Sequence, residues 1–228
     1  MGSISKGRVH FFLLKIHSLT GLIPIGIFLI FHLLINSLRT VGVLPYQWSI
    51  DVINNLPFLI WIEISFIYIP LLFHSFMGFY IAWRGEKNAL RYPYPRNWMY
   101  ALQRITGGVA FLFLAYHLGT TVVPKLWYGH HLFEAAPFLI NVMNQEFATW
   151  TGRIIYFVGL SSIIFHFSNG LWTFCISWGI IIGPRAQRNA SIVFLLLGGV
   201  LMVLGLATVL EFSLHPVDVE PTFTGTFK

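Results

Sequence analysis

The sequence predicts an all-α integral membrane protein of five transmembrane helices, the first four forming a four-helix bundle. Three observations predict it. Of 228 residues, 56% are hydrophobic and 17% aromatic while only 10% are charged, with a mean hydropathy of +0.73, a balance typical of integral membrane proteins. Five runs reach the length needed to cross a hydrocarbon core of about 30 Å, which takes about 20 apolar residues at 1.5 Å each. The basic residues, finally, gather in alternate short loops. A formal charge of +6 would fit nucleic-acid binding, but cations placed in short loops beside apolar spans report orientation in a bilayer. The partner they imply is membrane lipid, with no nucleic acid, and the whole chain, 1–228, reads as a single membrane domain.

The spans fall at approximately 19–38, 57–83, 99–123, 150–182 and 191–210. Basic residues precede the first, which reads as an uncleaved helix because no small-residue cleavage site follows it. Pro24 lies inside this span and Pro70 inside the second; neighbouring helices can satisfy the carbonyls they free, so both predict kinks and not breaks. Asn54 and Asn55 before Pro57 read as a cap and a first-turn proline opening the second span. Pro124 closes the third, and Gly183-Pro184 the fourth. The fifth has no histidine before His215 and is predicted to be peripheral to the chemistry. With the N-terminus inside, Lys6, Arg8, Lys15, Arg84, Lys87, Arg91, Arg96, Arg104, Arg185 and Arg188 lie on the inner side, leaving Arg39, Lys125, Arg153 and Lys228 outside. That asymmetry predicts an N-in, C-out topology.

Each of the first four spans carries one histidine deep in apolar sequence: His32, His74, His117 and His166. An ionisable side chain at such depth marks a functional site by default. His32 and His117 lie about six residues from the outer ends of their spans and His74 and His166 about sixteen, so two layers stand roughly 15 Å apart. In an up-down bundle these pairs are the two diagonals, which face each other across the interior where cofactors sit. Four such histidines can ligate two haems. The chain lacks C-x-x-C-H and has Cys175 as its one cysteine, which excludes an internal disulfide and the usual covalent attachment of a c-type haem, so the expectation is two haem b: an outer iron on His32 and His117, an inner one on His74 and His166. Two imidazoles leave iron no open position, which suits electron transfer. Gly78 and Gly170, one turn beyond the inner ligands, would leave space for the macrocycle. A single buried histidine could equally be a helix-contact hydrogen bond, and such glycines are also helix-packing devices. The donors for the inner propionates are expected among His17, Ser18, Gln103 and Arg104. His10, His130, His131 and His215 fall in loops and read as solvated.

The runs H-S-L-T-G-L-I-P-I-G-I-F-L-I-F-H from His17 to His32, R-N-W-M-Y-A-L-Q-R-I-T-G from Arg96 to Gly107, and I-F-H-F-S-N-G-L-W-T-F around His166 closely resemble the cytochrome b558 membrane anchor of bacterial succinate dehydrogenase and fumarate reductase. The resemblance covers roughly 17–210. It implies a five-helix anchor with two b haems, whose four axial ligands carry over onto His32, His74, His117 and His166. It also implies a flavoprotein subunit and an iron–sulfur subunit on the inner face of the bacterial cytoplasmic membrane, and electron exchange with quinone without succinate binding by this chain. Two other readings compete: a dihaem cytochrome b of a hydrogenase or formate dehydrogenase, and a haem-free transporter relaying protons through its histidines.

Glu63 is the one carboxylate well inside a span. It precedes His74 by eleven residues, about three turns, which by counting gives it the same face roughly 16 Å nearer the outside, beside the outer haem. A carboxylate there either hydrogen-bonds a neighbouring helix or protonates quinone from the outer side. In the second case electrons and protons meet across the membrane, each charge worth about 2.3 kcal/mol per 100 mV, which would favour a low-potential quinone such as menaquinone.

Overall fold

The computed structural model describes residues 2–86, 90–128, 135–217 and 219. Lys87, His130, His131 and Lys228, used above for topology or read as loop residues, lie outside them. No strand occurs among the described residues, and five helical segments are long and apolar enough to cross a membrane: Gly7–Thr40, Leu59–Arg84, Pro95–Pro124, Trp150–Ser177 and Pro184–Leu214.

Each predicted span is present, with differences that have local causes. The first is two helices, α1 (Gly2–Leu22) and α2 (Ile25–Ser37), followed by a 3₁₀ turn at Leu38–Thr40. Pro24, predicted to kink this span, lies in the break between Leu22 and Ile25, where its missing N–H cannot continue the helix ladder. Asn54 and Asn55 do not open the second span. They end an unpredicted helix, α3 (Val43–Asn54), their side-chain amides donating back to the carbonyls of Ile50 and Asp51, both at 2.8 Å. The second span follows as α4 (Leu59–Glu63), a π turn at Ile64–Tyr68 and α5 (Ile69–Arg84). Pro70 sits just past that turn; a proline cannot donate to the helix ladder and crowds the carbonyl one turn back, and a wider turn is a way of absorbing both. The third span, α6 (Pro95–Tyr128), runs on through Pro124 instead of stopping there. A second unpredicted helix, α7 (Ala135–Ala148), precedes α8 (Trp150–Ser177), and α9 (Pro184–Leu214) extends beyond its predicted bounds at both ends.

The chain divides into two units. Met1–Ile30, Ile60–Ala110 and Ser162–Val200 form the first; Phe31–Leu59, Phe111–Ser161 and Leu201–Lys228 form the second. In the first, small residues bring helices close: Gly26 lies under the Phe167 ring and Gly198 against Ser168, as expected where lipid gives helices little hydrophobic reason to associate and close contact has to. Its bilayer face is explicit on α5, where Ile69, Leu72, Phe76 and Trp83 are exposed and need lipid to cover them. Polar ties gather near the helix ends: Lys15 Nζ donates to the Ser177 carbonyl at 2.5 Å, Trp178 Nε1 to Ser18 Oγ at 3.0 Å, and Arg96 to Gln187 Oε1 at 2.7 Å.

The second unit has a core built by the two unpredicted helices. Tyr46 and Ile50 of α3 and Ala136, Ile140, Met143 and Phe147 of α7 close on Tyr156 of α8 and Phe212 of α9. The Tyr46 hydroxyl donates to Asn36 Oδ1 at 3.1 Å, and burial pushes its phenol well above the usual range. Beside this core Arg39, only 2% exposed, pairs with Glu211 at 3.0 Å, donates to the His215 carbonyl and lies over the Phe212 ring. A buried guanidinium is tolerable only with such partners. The fifth span is thereby tied to the residue two turns beyond His32.

Candidate functional site

In the first unit α5 supplies His74 and α8 supplies His166, their ring centres 6.1 Å apart and their planes nearly perpendicular at 88°. Each ring is gripped from behind in the same way. His74 Nδ1 lies 2.9 Å from the backbone oxygen of His17, and His166 Nδ1 lies 3.0 Å from that of Gln103. A carbonyl can only accept, so Nδ1 carries the proton in both rings and Nε2 is left to bind a metal. Helix carbonyls are normally walled in by the side chain four residues on. Here that residue is glycine both times, Gly21 after His17 and Gly107 after Gln103. A Cβ at Gly21 would stand 2.4 Å from His74 Cε1, and one at Gly107 2.9 Å from His166 Cε1. The preceding threonines, Thr20 and Thr106, lie 3.0 and 3.4 Å from these same carbonyls and share their hydroxyl protons with those of Ile16 and Leu102, at 3.0 and 2.7 Å. The segments H-S-L-T-G and Q-R-I-T-G are thus two copies of one cradle, and the shared T-G was the signal in the sequence that could have revealed it.

The second cradle is reinforced. Gln103 Nε2 donates to the His166 carbonyl at 3.0 Å while its Oε1 accepts from Asn169 Nδ2 at 2.7 Å. Its amide is therefore committed to α8 on both sides. Ser18 is also engaged, donating to the Lys15 carbonyl at 2.9 Å and accepting from Trp178. Arg104 stacks on Tyr100, bonds its hydroxyl and donates to the Glu86 carbonyl at 3.2 Å, holding the turn after α5. His17 stacks on His74 with ring centres 4.2 Å apart. Among the described residues, buried His17 Nδ1 and Arg104 Nε have no hydrogen-bond partner, the condition expected of groups that await an acceptor. Gly78 faces His17, at 3.3 Å, and Gly170 faces Gln103, at 3.5 Å.

In the second unit His32 of α2 and His117 of α6 have ring centres 5.9 Å apart at 77°. Phe113 stacks along His117, its ring seated on Gly159. His117 Nδ1 meets a side chain and not a carbonyl: the hydroxyl of Tyr156, at 3.0 Å. Nearby, the Tyr116 hydroxyl donates to Glu146 Oε2 at 2.5 Å.

Both pairs fit one kind of occupant. An imidazole nitrogen stands about 2 Å from a metal it binds and the ring centre about 1 Å further, so two rings on opposite sides of one ion have centres about 6 Å apart. Among the described residues no three His, Cys, Asp or Glu side chains gather into a metal site. Two ligands are too few for a bare ion, yet they complete an iron whose other four positions a macrocycle fills.

Counting set Glu63 on the face of His74, and a π turn lies between them. The π turn at Ile64–Tyr68 takes one residue more than an α turn, which at about 100° per residue carries Glu63 roughly a quarter-turn off the His74 face. It belongs to the first unit, with His74 and His166, is half-buried, and accepts a 3.4 Å hydrogen bond from the Tyr68 hydroxyl. The spacing of five residues between them is the one a π turn stacks.

No family model matches the chain. Over 207 residues, 91% of this chain and 99% of its relative, it is 36% identical to the succinate dehydrogenase cytochrome b558 subunit of Bacillus subtilis (strain 168).

Proposed function

The chain belongs to the family of succinate dehydrogenase cytochrome b558 subunits, and from that premise we propose that it is the dihaem b anchor of a succinate:quinone oxidoreductase. It carries electrons between an iron–sulfur subunit and membrane quinone, menaquinone by the charge argument above, and does not itself bind succinate. The observation that carries this reading is the repeated histidine pair, one in each unit, at 6.1 and 5.9 Å. A b haem in each pair supplies one-electron transfer with no open iron position. His74 and His166 would hold the inner one and His32 and His117 the outer, with Arg104 presenting its unpartnered Nε–H to the inner propionates, and His17 its unpartnered Nδ1 in the tautomer that carries the proton there.

The subunit lies in the bacterial cytoplasmic membrane with its N-terminus inside. The flavoprotein and iron–sulfur subunits dock on the inner turns around 84–96 and 183–189. Arg96 and Gln187 tie those turns together, and Arg104 pins Glu86. Glu63, hydrogen-bonded by Tyr68, is the proton donor and acceptor for quinone; a half-buried carboxylate beside a phenol on a π turn is a disposition common at functional sites.

The test is spectroscopic. In membranes, His74→Ala and His166→Ala should each lose one b-type signal and His32→Ala and His117→Ala the other. Loss of the same signal in His32→Ala and His166→Ala would refute the pairing.

A further inference from the structure

The two histidine pairs are gripped differently. His74 and His166 are held by backbone carbonyls, which no side-chain substitution removes, whereas His117 is held by the side chain of Tyr156. Tyr156 is 7% exposed, at the centre of the core that α3, α7 and α9 build. Phe147 packs edge-on to its ring with centres 4.7 Å apart, Phe113 does so at 5.1 Å, and Met143 Sδ lies 3.7 Å from its hydroxyl. The hydroxyl can spend its proton on that sulfur and leave its oxygen to accept. The Thr120 side chain also hydrogen-bonds this phenol, whose oxygen lies 3.0 Å from a ligand nitrogen.

We propose that Tyr156 is a positioning residue for the His32/His117 haem: its oxygen accepts the Nδ1–H of His117, fixing that imidazole's tautomer and ring plane and setting the potential of the iron it binds. The cap formed by α3 and α7 thus has a chemical role, holding the phenol in place. A hydrogen bond from Nδ1 makes the imidazole a more basic ligand, which favours the oxidised iron. Removing the hydroxyl therefore raises the midpoint potential of this haem and leaves the other where it was. The inference rests on the ligand assignment made above.

The experiment is a redox titration, followed optically and by electron paramagnetic resonance, of the intact complex carrying Tyr156→Phe, with Phe147→Leu and His117→Ala alongside. Tyr156→Phe should keep two haems while the His32/His117 signal titrates at higher potential with altered g values. Phe147→Leu, which thins the packing around the phenol but spares its oxygen, should leave that signal in place. Unshifted potentials and spectra in Tyr156→Phe, or equal shifts of both haems, overturn the proposal. Should Tyr156→Phe lose the haem altogether, retention in Phe147→Leu assigns the loss to the hydroxyl, and loss in both variants reduces Tyr156 to packing and overturns the role. Retention of both haems in His117→Ala would instead sink the ligand assignment, a result separable from any failure of Tyr156.

Discussion

Alanine scanning of four glycines separates the cradle from ordinary helix packing. At Gly21 the new methyl would stand 2.4 Å from His74 Cε1, so the ring has to retreat about 1.0 Å to regain an ordinary 3.4 Å contact. At Gly107 the same arithmetic, from 2.9 Å to His166, asks for about 0.5 Å. Metal–ligand distances hold to about 0.2 Å, so both displacements exceed what a bound iron tolerates, the first about fivefold. Neither obstacle can swing away, because each ring is pinned through Nδ1 to the helix bearing the glycine. Overpacking of this kind costs about 1–3 kcal/mol, or roughly 5- to 140-fold in haem retention at 1.4 kcal/mol per tenfold. Gly78→Ala, starting at 3.3 Å from His17, and Gly170→Ala, at 3.5 Å from Gln103, need almost no adjustment. Reduced-minus-oxidised difference spectra and haem-to-protein ratios of membranes should therefore rank the variants. Gly21→Ala loses the His74/His166 haem, Gly107→Ala loses part of it, and the other two keep both. A normal spectrum in Gly21→Ala together with haem loss in Gly170→Ala would refute the cradle.

Glu63→Gln should slow quinone turnover while both haem spectra stay intact, and uncoupler should slow succinate respiration in intact cells; normal turnover in the variant removes Glu63 from the mechanism, and indifference to uncoupler removes outer-side proton uptake. Arg39→Leu leaves Glu211 with only the His215 ring, 3.1 Å away, and breaking a buried pair costs about 3–5 kcal/mol, with the lower end expected because Glu211 is 25% exposed and keeps that partner. Thermal unfolding in detergent should show that loss and its substantial recovery in Arg39→Leu/Glu211→Leu; a single variant as stable as the parent would mean the pair holds nothing.

The spans and the four histidines were legible because each is written in one local pattern: twenty apolar residues, or one imidazole among them. The cradles were not, although both lie in plain sequence. Counting along one helix selects glycines on the same helix as the ligand, Gly78 and Gly170. The glycines that crowd the ligands, Gly21 and Gly107, belong to the neighbouring helices, and only the packing of α1 on α5 and of α6 on α8 pairs them. The face counted for Glu63 shifts for a related reason, since an eleven-residue register presumes an unbroken α-helix and one π turn alters it.

The cap of the second unit was the least legible part, and the reason bears on its role. The helices α3 and α7 are too short and too polar to register as spans, and their apolar residues are spent on a core shared with α8 and α9, so neither shows a face that means anything alone. Tyr156 reads in sequence as one more aromatic residue among many. Its meaning appears only when Met143 and Phe147 close over it and His117 arrives from α6. In the first unit the ligand supports are main-chain atoms, which demand glycine at fixed positions and permit little else. In the second the support of His117 is a side chain packed against α7. On the proposed ligand assignment, two haems in one chain would be tuned separately, because the hydrogen bond to His117 comes from a side chain and those to His74 and His166 from main-chain carbonyls.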